Sequence, residues 1–231
     1  MPARVVGFDG DDTLWHSETR FSVTQAEFRE LLRRHVPDAD ADTRLSEMEM
    51  KNLAIYGYGV KSFTLSMLET AIELTGARIP AGDLDVILGW GKRMLMEPTE
   101  LIDGVEETLR ALSGRYDLLL ITKGDLFDQE SKLARSGLGD LFSGVEILSE
   151  KNMDTYRGVF QRRAIRPEDF VMVGNSLRSD VVPVMSLGGR TVHIPYEVTW
   201  HHEQVPDEEL PKEGWWRISS IRELPTLLGK L

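Results

Sequence analysis

The chain is predicted to fold as an α/β protein: a mostly parallel sheet with helices on both faces, interrupted by a small all-helical insertion. Three features of the sequence predict this. Short apolar runs rich in β-branched residues alternate with helical segments after Pro98. Between about Trp15 and Glu97, long amphipathic segments replace them. The first apolar run, Arg4-Val5-Val6-Gly7-Phe8, ends abruptly in Asp9, Asp11, Asp12 and Thr13, at the carboxyl end of a buried strand, where open α/β sheets bind ligands.

Residues 4 to 8 form the first strand. The insertion follows, and its first helix is expected to open at Thr24, with Glu27 completing a capping box and Phe28, Leu31 and Leu32 on one face. A second helix runs from about Leu45 to Tyr56 and breaks at Gly57 and Gly59. A third carries Val60, Phe63, Met67, Ala71 and Leu74 and stops at Gly76, and a fourth runs from near Asp83 to just before Pro98. Four such helices bury their stripes against one another, which makes residues 15–97 a small domain inserted into a core of residues 1–14 and 98–231.

In the core, Asp103 to Glu106 cap a helix, Asp117 to Ile121 form a strand ending at Thr122-Lys123, and residues 126 to 136 form a helix closed by Gly137. Val145-Glu146-Ile147 is a short strand, Thr155 to Ala164 a helix, and Phe170 to Val173 a strand ending at Gly174-Asn175-Ser176. A helix over Ser179 to Leu187, a strand over Thr191 to Ile194, a long polar loop over Tyr196 to Gly214, a strand over Trp216 to Ser219 and a helix over Ile221 to Leu228 complete it. This repeated βα unit implies a parallel sheet of Rossmann-like type.

Composition narrows the function classes. With 231 residues and 41% hydrophobic residues the chain suits a globular protein, and no apolar stretch has the length of a membrane span, so it is read as soluble, unexported and cytoplasmic. The absence of cysteine rules out thiolate metal sites and cysteine nucleophiles. A net charge of -11 disfavours nucleic acid and anionic membranes as partners, and obliges any anionic ligand to meet a local positive centre.

Such a centre is foreshadowed where the strand ends converge. Asp9 and Asp180, with a carbonyl from residue 11, form a hard-oxygen set suited to Mg2+. Lys151 balances the remaining charge, and Thr122 with the following backbone N–H groups suits an anionic oxygen. His201-His202 with His193 and Glu203 hints at a second metal cluster, although adjacent histidines in a strand point opposite ways.

In these residues the sequence resembles the haloacid dehalogenase-like hydrolase superfamily, in its phosphatase branch. The first motif is met by Asp9-Gly10-Asp11-Asp12-Thr13-Leu14, the second by Leu119-Leu120-Ile121-Thr122, the third by Lys151 and the fourth by Gly174-Asn175 through Asp180. Two departures are evident: Asn175 replaces the commoner Asp, leaving Asp180 as the carboxylate anchor, and Lys123 stands where such proteins often carry Asn. The resemblance implies that Asp9 is a nucleophile forming an aspartyl phosphate. Asp11 would protonate the leaving alcohol and later activate water, Thr122 and Lys151 would stabilise the transferring group, and Asp9, Asp11, Asn175 and Asp180 would hold Mg2+. Asp11 also favours phosphate esters over halides, because an alkoxide needs a proton on leaving.

The resemblance further implies that the insertion is a cap, for which His16, Tyr56, Tyr58, Lys61 and Arg93 are candidate substrate contacts, with Lys123 a further candidate near the phosphate. The expected partner is a small phosphorylated metabolite. A phosphosugar mutase of the same superfamily and a non-catalytic interaction protein that keeps the fold are the alternatives. A metal-independent dehalogenase stands behind both, and neither the substrate nor the oligomeric state is legible.

Overall fold

The computed structural model describes residues 4–198, 200, 203, 205, 206, 210 and 212–231. The strands are β1 (Val5–Phe8), β2 (Asp117–Lys123), β3 (Gly144–Leu148), β4 (Phe170–Gly174), β5 (Arg190–His193) and β6 (Trp215–Arg217). The helices are α1 (Glu18–Arg33), α2 (Ala41–Tyr56), α3 (Val60–Leu74), α4 (Ala81–Met96), α5 (Val105–Leu112), α6 (Leu126–Ser136), α7 (Met153–Arg162), α8 (Val182–Ser186) and α9 (Leu224–Leu228).

The six strands pair in the order β3-β2-β1-β4-β5-β6, and every pair is parallel. Strand order therefore reverses beside β1, and the carboxyl ends of β1, β2 and β4 border the crevice where doubly wound sheets bind ligands. Alternation along the strands divides the core into two layers. Val6, Phe8, Leu118, Leu120, Val171 and Val173 face Leu109 and Leu112 of α5 and Leu224 and Leu228 of α9. Leu119, Ile121, Phe170 and Met172 face Tyr156, Val159 and Phe160 of α7. Gly7 belongs to the second layer, where a Cβ would lie 2.6 Å from the Phe170 ring, so the closest packing of β1 requires its glycine.

The chain forms two compact units. One comprises Met1–Glu18, Thr99–Lys123 and Gln129–Leu231; the other comprises Thr19–Pro98 and Gly124–Asp128. The helical unit has its own core of Phe28, Leu31, Leu32, Leu45, Phe63, Met67 and Ile87. It also takes in Gly124–Asp128, where Asp125 is bound to Lys61 at 2.9 and 3.0 Å.

Several elements differ from their sequence-based expectation. Helix α1 begins at Glu18, and Thr24, expected to cap it, is buried within it. The physical reason is Asp12, whose carboxylate accepts from the N–H groups of Ser17 (2.8 Å) and Glu18 (3.1 Å) and so starts the helix earlier. Asp12 sits at φ 61, a left-handed conformation that Asp tolerates better than most residues. Burial and the Asp11 charge push its carboxyl up to about 7, against the pull of the two N–H groups. Replacing Asp12 by Ala loses the cap and strains the backbone. It should cost about 1 to 2 kcal/mol, read as a fall of roughly 3 to 6 °C in thermal unfolding, with Asp12→Asn restoring most of it.

The expected helix over Ser179 to Leu187 is instead a π-type turn, Leu177–Val181, running into α8. The tail helix likewise splits into a 3-10 turn, Ile221–Glu223, capped reciprocally by Ser220 and Glu223, and the short α9. Thr122 and Lys123 lie within β2 rather than after it, paired with Ile147 and Leu148 of β3. Among the described residues no helix is long and apolar enough to cross a membrane.

Candidate active site

β1 delivers Asp9 to the crevice, and its register is fixed by the Asp9 N–H donating to Val173 O of β4 at 2.9 Å. Lys151, just ahead of α7, extends between two carboxylates: its ammonium lies 2.5 Å from Asp9 Oδ1 and 2.8 Å from Asp180 Oδ1. The Lys151 and Asp180 side chains are each 1% exposed. Residues 9, 151 and 180, remote in sequence, thus meet through one buried cation. Such a cluster persists only because each charge is paired.

Asp180 reaches this point by way of the π-type turn. Its Oδ2 accepts from the Ser176 N–H at 3.1 Å, and a Cβ on residue 174 would fall 2.1 Å from the same oxygen, so β4 must end in glycine. Thr13 donates its hydroxyl to Asp9 Oδ2 at 3.1 Å. The Asn175 amide, oriented by its hydrogen bonds, donates to Asp9 Oδ2 at 3.2 Å and to the Asp11 carbonyl at 3.3 Å. The Asn175 backbone is itself steadied from behind, because His193 Nε2 lies 2.9 Å from its main-chain carbonyl oxygen. Burial holds the His193 imidazole below its usual pKa, which leaves the ring neutral.

The electrostatics follow from this crowding. Burial pushes the Asp9 carboxyl up to about 7; Lys151 opposes the shift, and the Asp180 and Asp11 charges add to it. Burial alone would depress Lys151, but Asp180 and Asp9 outweigh it and raise its pKa. Tyr156, wholly buried on α7, has its hydroxyl pKa raised by burial against the pull of Lys151.

The Asp11 side chain turns to another set of partners. Trp15 Nε1 donates to it at 2.7 Å, Gln129 Nε2 at 2.8 Å and Lys132 Nζ at 2.8 Å. Burial raises its pKa, yet Lys132, Gln129 and Trp15 together outweigh burial and hold the group below the usual carboxylate range. The Asp11 carbonyl, not its carboxylate, therefore faces Asp9 and Asn175. A hard cation finds oxygen donors here in Asp9 Oδ2 and the Asp11 carbonyl, with Asp180 joined to Asp9 through Lys151; Asn175 would join them by turning its amide so that the oxygen, in place of the NH2, faces these two groups. Asp9 held near neutrality also calls for additional positive charge if it is to be anionic. Among the described residues no three His, Asp or Glu side chains are gathered as a metal cage, so a cation here would draw on backbone and amide oxygens as well.

Thr122 is buried directly beside Gly10, where a Cβ would lie 3.3 Å from its hydroxyl. Lys123 extends to Ser179 Oγ at 3.0 Å and Glu203 Oε1 at 2.5 Å. His16 Nδ1 lies 2.6 Å from the Tyr196 hydroxyl. The remaining named candidates belong to the helical unit: Lys61 is bound to Asp125, Arg93 to Glu27, Tyr56 is exposed at the end of α2, and Tyr58 is half-buried. His201 and His202 lie outside the described residues, while their suggested partners are engaged elsewhere, His193 with Asn175 and Glu203 with Lys123.

Reading the sequence missed Lys132, Gln129 and Trp15 around Asp11, Thr13 against Asp9, and Glu203, Ser176 and Ser179 around Lys123. One signal was present: Gln129 and Lys132 are three apart on α6 and share a face. Nothing local marked Glu203, which lies 80 positions from Lys123.

Comparison with known proteins is consistent with this geometry. A profile of haloacid dehalogenase-like hydrolases matches residues 3–182. A haloacid dehalogenase-like family hydrolase from Xanthomonas campestris, solved by crystallography, is 41% identical, with a TM-score of 0.89 over 99% of this chain and 91% of its own. Glyceraldehyde 3-phosphate phosphatase from Pyrococcus furiosus is 24% identical over 84% of this chain and 81% of its own length. The Bacillus subtilis protein YfnB, described as a HAD-hydrolase and bound to magnesium, shares the fold at 19% identity, with a TM-score of 0.69 over 99% of this chain and 100% of its own.

Proposed function

We infer, from the premise that this chain belongs to the haloacid dehalogenase-like hydrolase family, that it is a Mg2+-dependent phosphatase acting on small phosphate monoesters. The observation that carries this reading is the buried contact of Lys151 with both Asp9 and Asp180, which joins three of the four motifs at one point. The phosphatase named among the relatives and the magnesium held by YfnB support the same reading.

In this reading Asp9 attacks phosphorus in line and carries the phosphoryl group as an aspartyl phosphate until water releases it. Lys151 and the Thr122 hydroxyl stabilise the equatorial oxygens, on which charge gathers. Mg2+, held by Asp9, the Asp11 carbonyl, Asn175 and Asp180, would neutralise phosphate charge and keep Asp9 anionic at neutral pH. Asp11 serves as acid and base, and its contacts favour the second role. Its carboxylate on Lys132 is already deprotonated and ready to take a proton from water, whereas protonating an alkoxide requires it to leave Lys132 first.

Phosphate release measured over sugar phosphates, nucleoside monophosphates and phosphoglycolate, with Mg2+ and with EDTA, tests the assignment. Turnover of at least one ester is expected with Mg2+, falling on the order of a hundredfold or more in EDTA. Release from none of the panel, or release indifferent to EDTA, would remove the reading.

A further inference from the structure

At the carboxyl end of β2, one position after Thr122, stands a lysine that a phosphorylated, carboxylate-bearing substrate would be expected to use. Lys123 is instead engaged by carboxylates of the protein itself. Glu203 lies 2.5 Å from its ammonium and Glu150 lies 3.5 Å away, so two carboxylates of the protein already meet this lysine. Glu203 is also held from its other oxygen, which accepts from the hydroxyls of Ser176 and Ser179, the latter at 2.6 Å. Ser179 in turn accepts from Lys123 at 3.0 Å and immediately precedes Asp180, so the network is fastened to the turn that carries the catalytic anchor. The Lys123 and Glu203 side chains are only 16% and 12% exposed, so solvent screens their interaction weakly.

We propose that Glu203 is a specificity-determining residue: by occupying Lys123 and placing its own carboxylate beside the phosphoryl site, it selects esters whose phosphoryl group is their sole anion. This rests on the phosphatase reading. Nothing is gained in affinity for neutral alcohols; what is removed is the attraction that a strand-end lysine would give a second carboxylate. Selectivity arises here from an unfavourable charge set against the competitor. Although burial would raise its carboxyl, Lys123 and the serine hydroxyls hold Glu203 down at about 2, so the negative charge is permanent at working pH.

Ethyl phosphate and 2-phosphoglycolate form a matched pair of probes, equal in chain length and differing in a methyl group against a carboxylate. Their affinities are to be measured by titration calorimetry with Mg2+ present, on the Asp9→Asn protein, which turns neither of them over. Introducing Glu203→Gln, which keeps the shape of the side chain, should improve the affinity for 2-phosphoglycolate relative to ethyl phosphate by about tenfold, or about 1.4 kcal/mol. Glu203→Ala should act in the same direction, and adding Lys123→Met should abolish the gain. An unchanged ratio in both Glu203 variants, a gain that survives Lys123→Met, or tight binding of 2-phosphoglycolate before any change at 203 would overturn the inference. If neither probe binds and wild type releases no phosphate, the phosphatase reading fails and this inference falls with it.

Discussion

Asp9→Asn is expected to lower phosphate release by at least about a thousandfold, with thermal unfolding changed by only a few degrees. An amide has no anionic oxygen to attack phosphorus, so the first chemical step is lost rather than slowed. The fold should tolerate the change because Lys151 keeps Asp180 as its partner at 2.8 Å. Substrate binding should persist, since Thr122 and Lys151 are unaltered. Release assays with melting and ligand titration on the same preparation separate these effects. Full activity in the variant would exclude Asp9 as the nucleophile.

Lys151→Met should be the most damaging change to stability. It removes the cation between Asp9 and Asp180 and leaves two buried carboxylates facing each other, a loss of about 3 to 5 kcal/mol, or roughly 10 °C in unfolding temperature. The deficit has a defined pH dependence. Asp9, raised from 3.8 to about 7 even with Lys151 present, binds its proton more tightly in the folded state. That contribution to stability is complete below about 4 and is lost as pH rises through about 7. Without Lys151 the charged form is more unfavourable still, so the gap between variant and wild type should be smaller at pH 5 than at pH 8. Mg2+ should narrow it at pH 8 by supplying the missing charge. A deficit that grows on acidification would contradict this electrostatic account.

Much of the site was legible because its motifs lie at strand ends, and a parallel sheet brings all such ends to one side. Asp9, Thr122, Lys151 and Asn175 with Asp180 could be placed from apolar runs followed by polar residues. The start of α1 was misread for a local reason. A capping-box pattern at Thr24 and Glu27 was visible, but the carboxylate that begins the helix lies on Asp12, in a conformation that the sequence did not declare. The contact of Asp125 with a lysine 64 positions away had no local signal at all.

The sequence by itself determined the alternation of strand and helix, the helical insertion and the family, because periodicity and the order of motifs are written along the chain itself. Only the tertiary structure decided what each charge faces: Lys151 between Asp9 and Asp180, Lys132 on Asp11, Glu203 on Lys123. Coulombic attraction and burial act over a few ångströms of space without regard to separation along the chain, so these pairings become visible only when the sheet has closed them together.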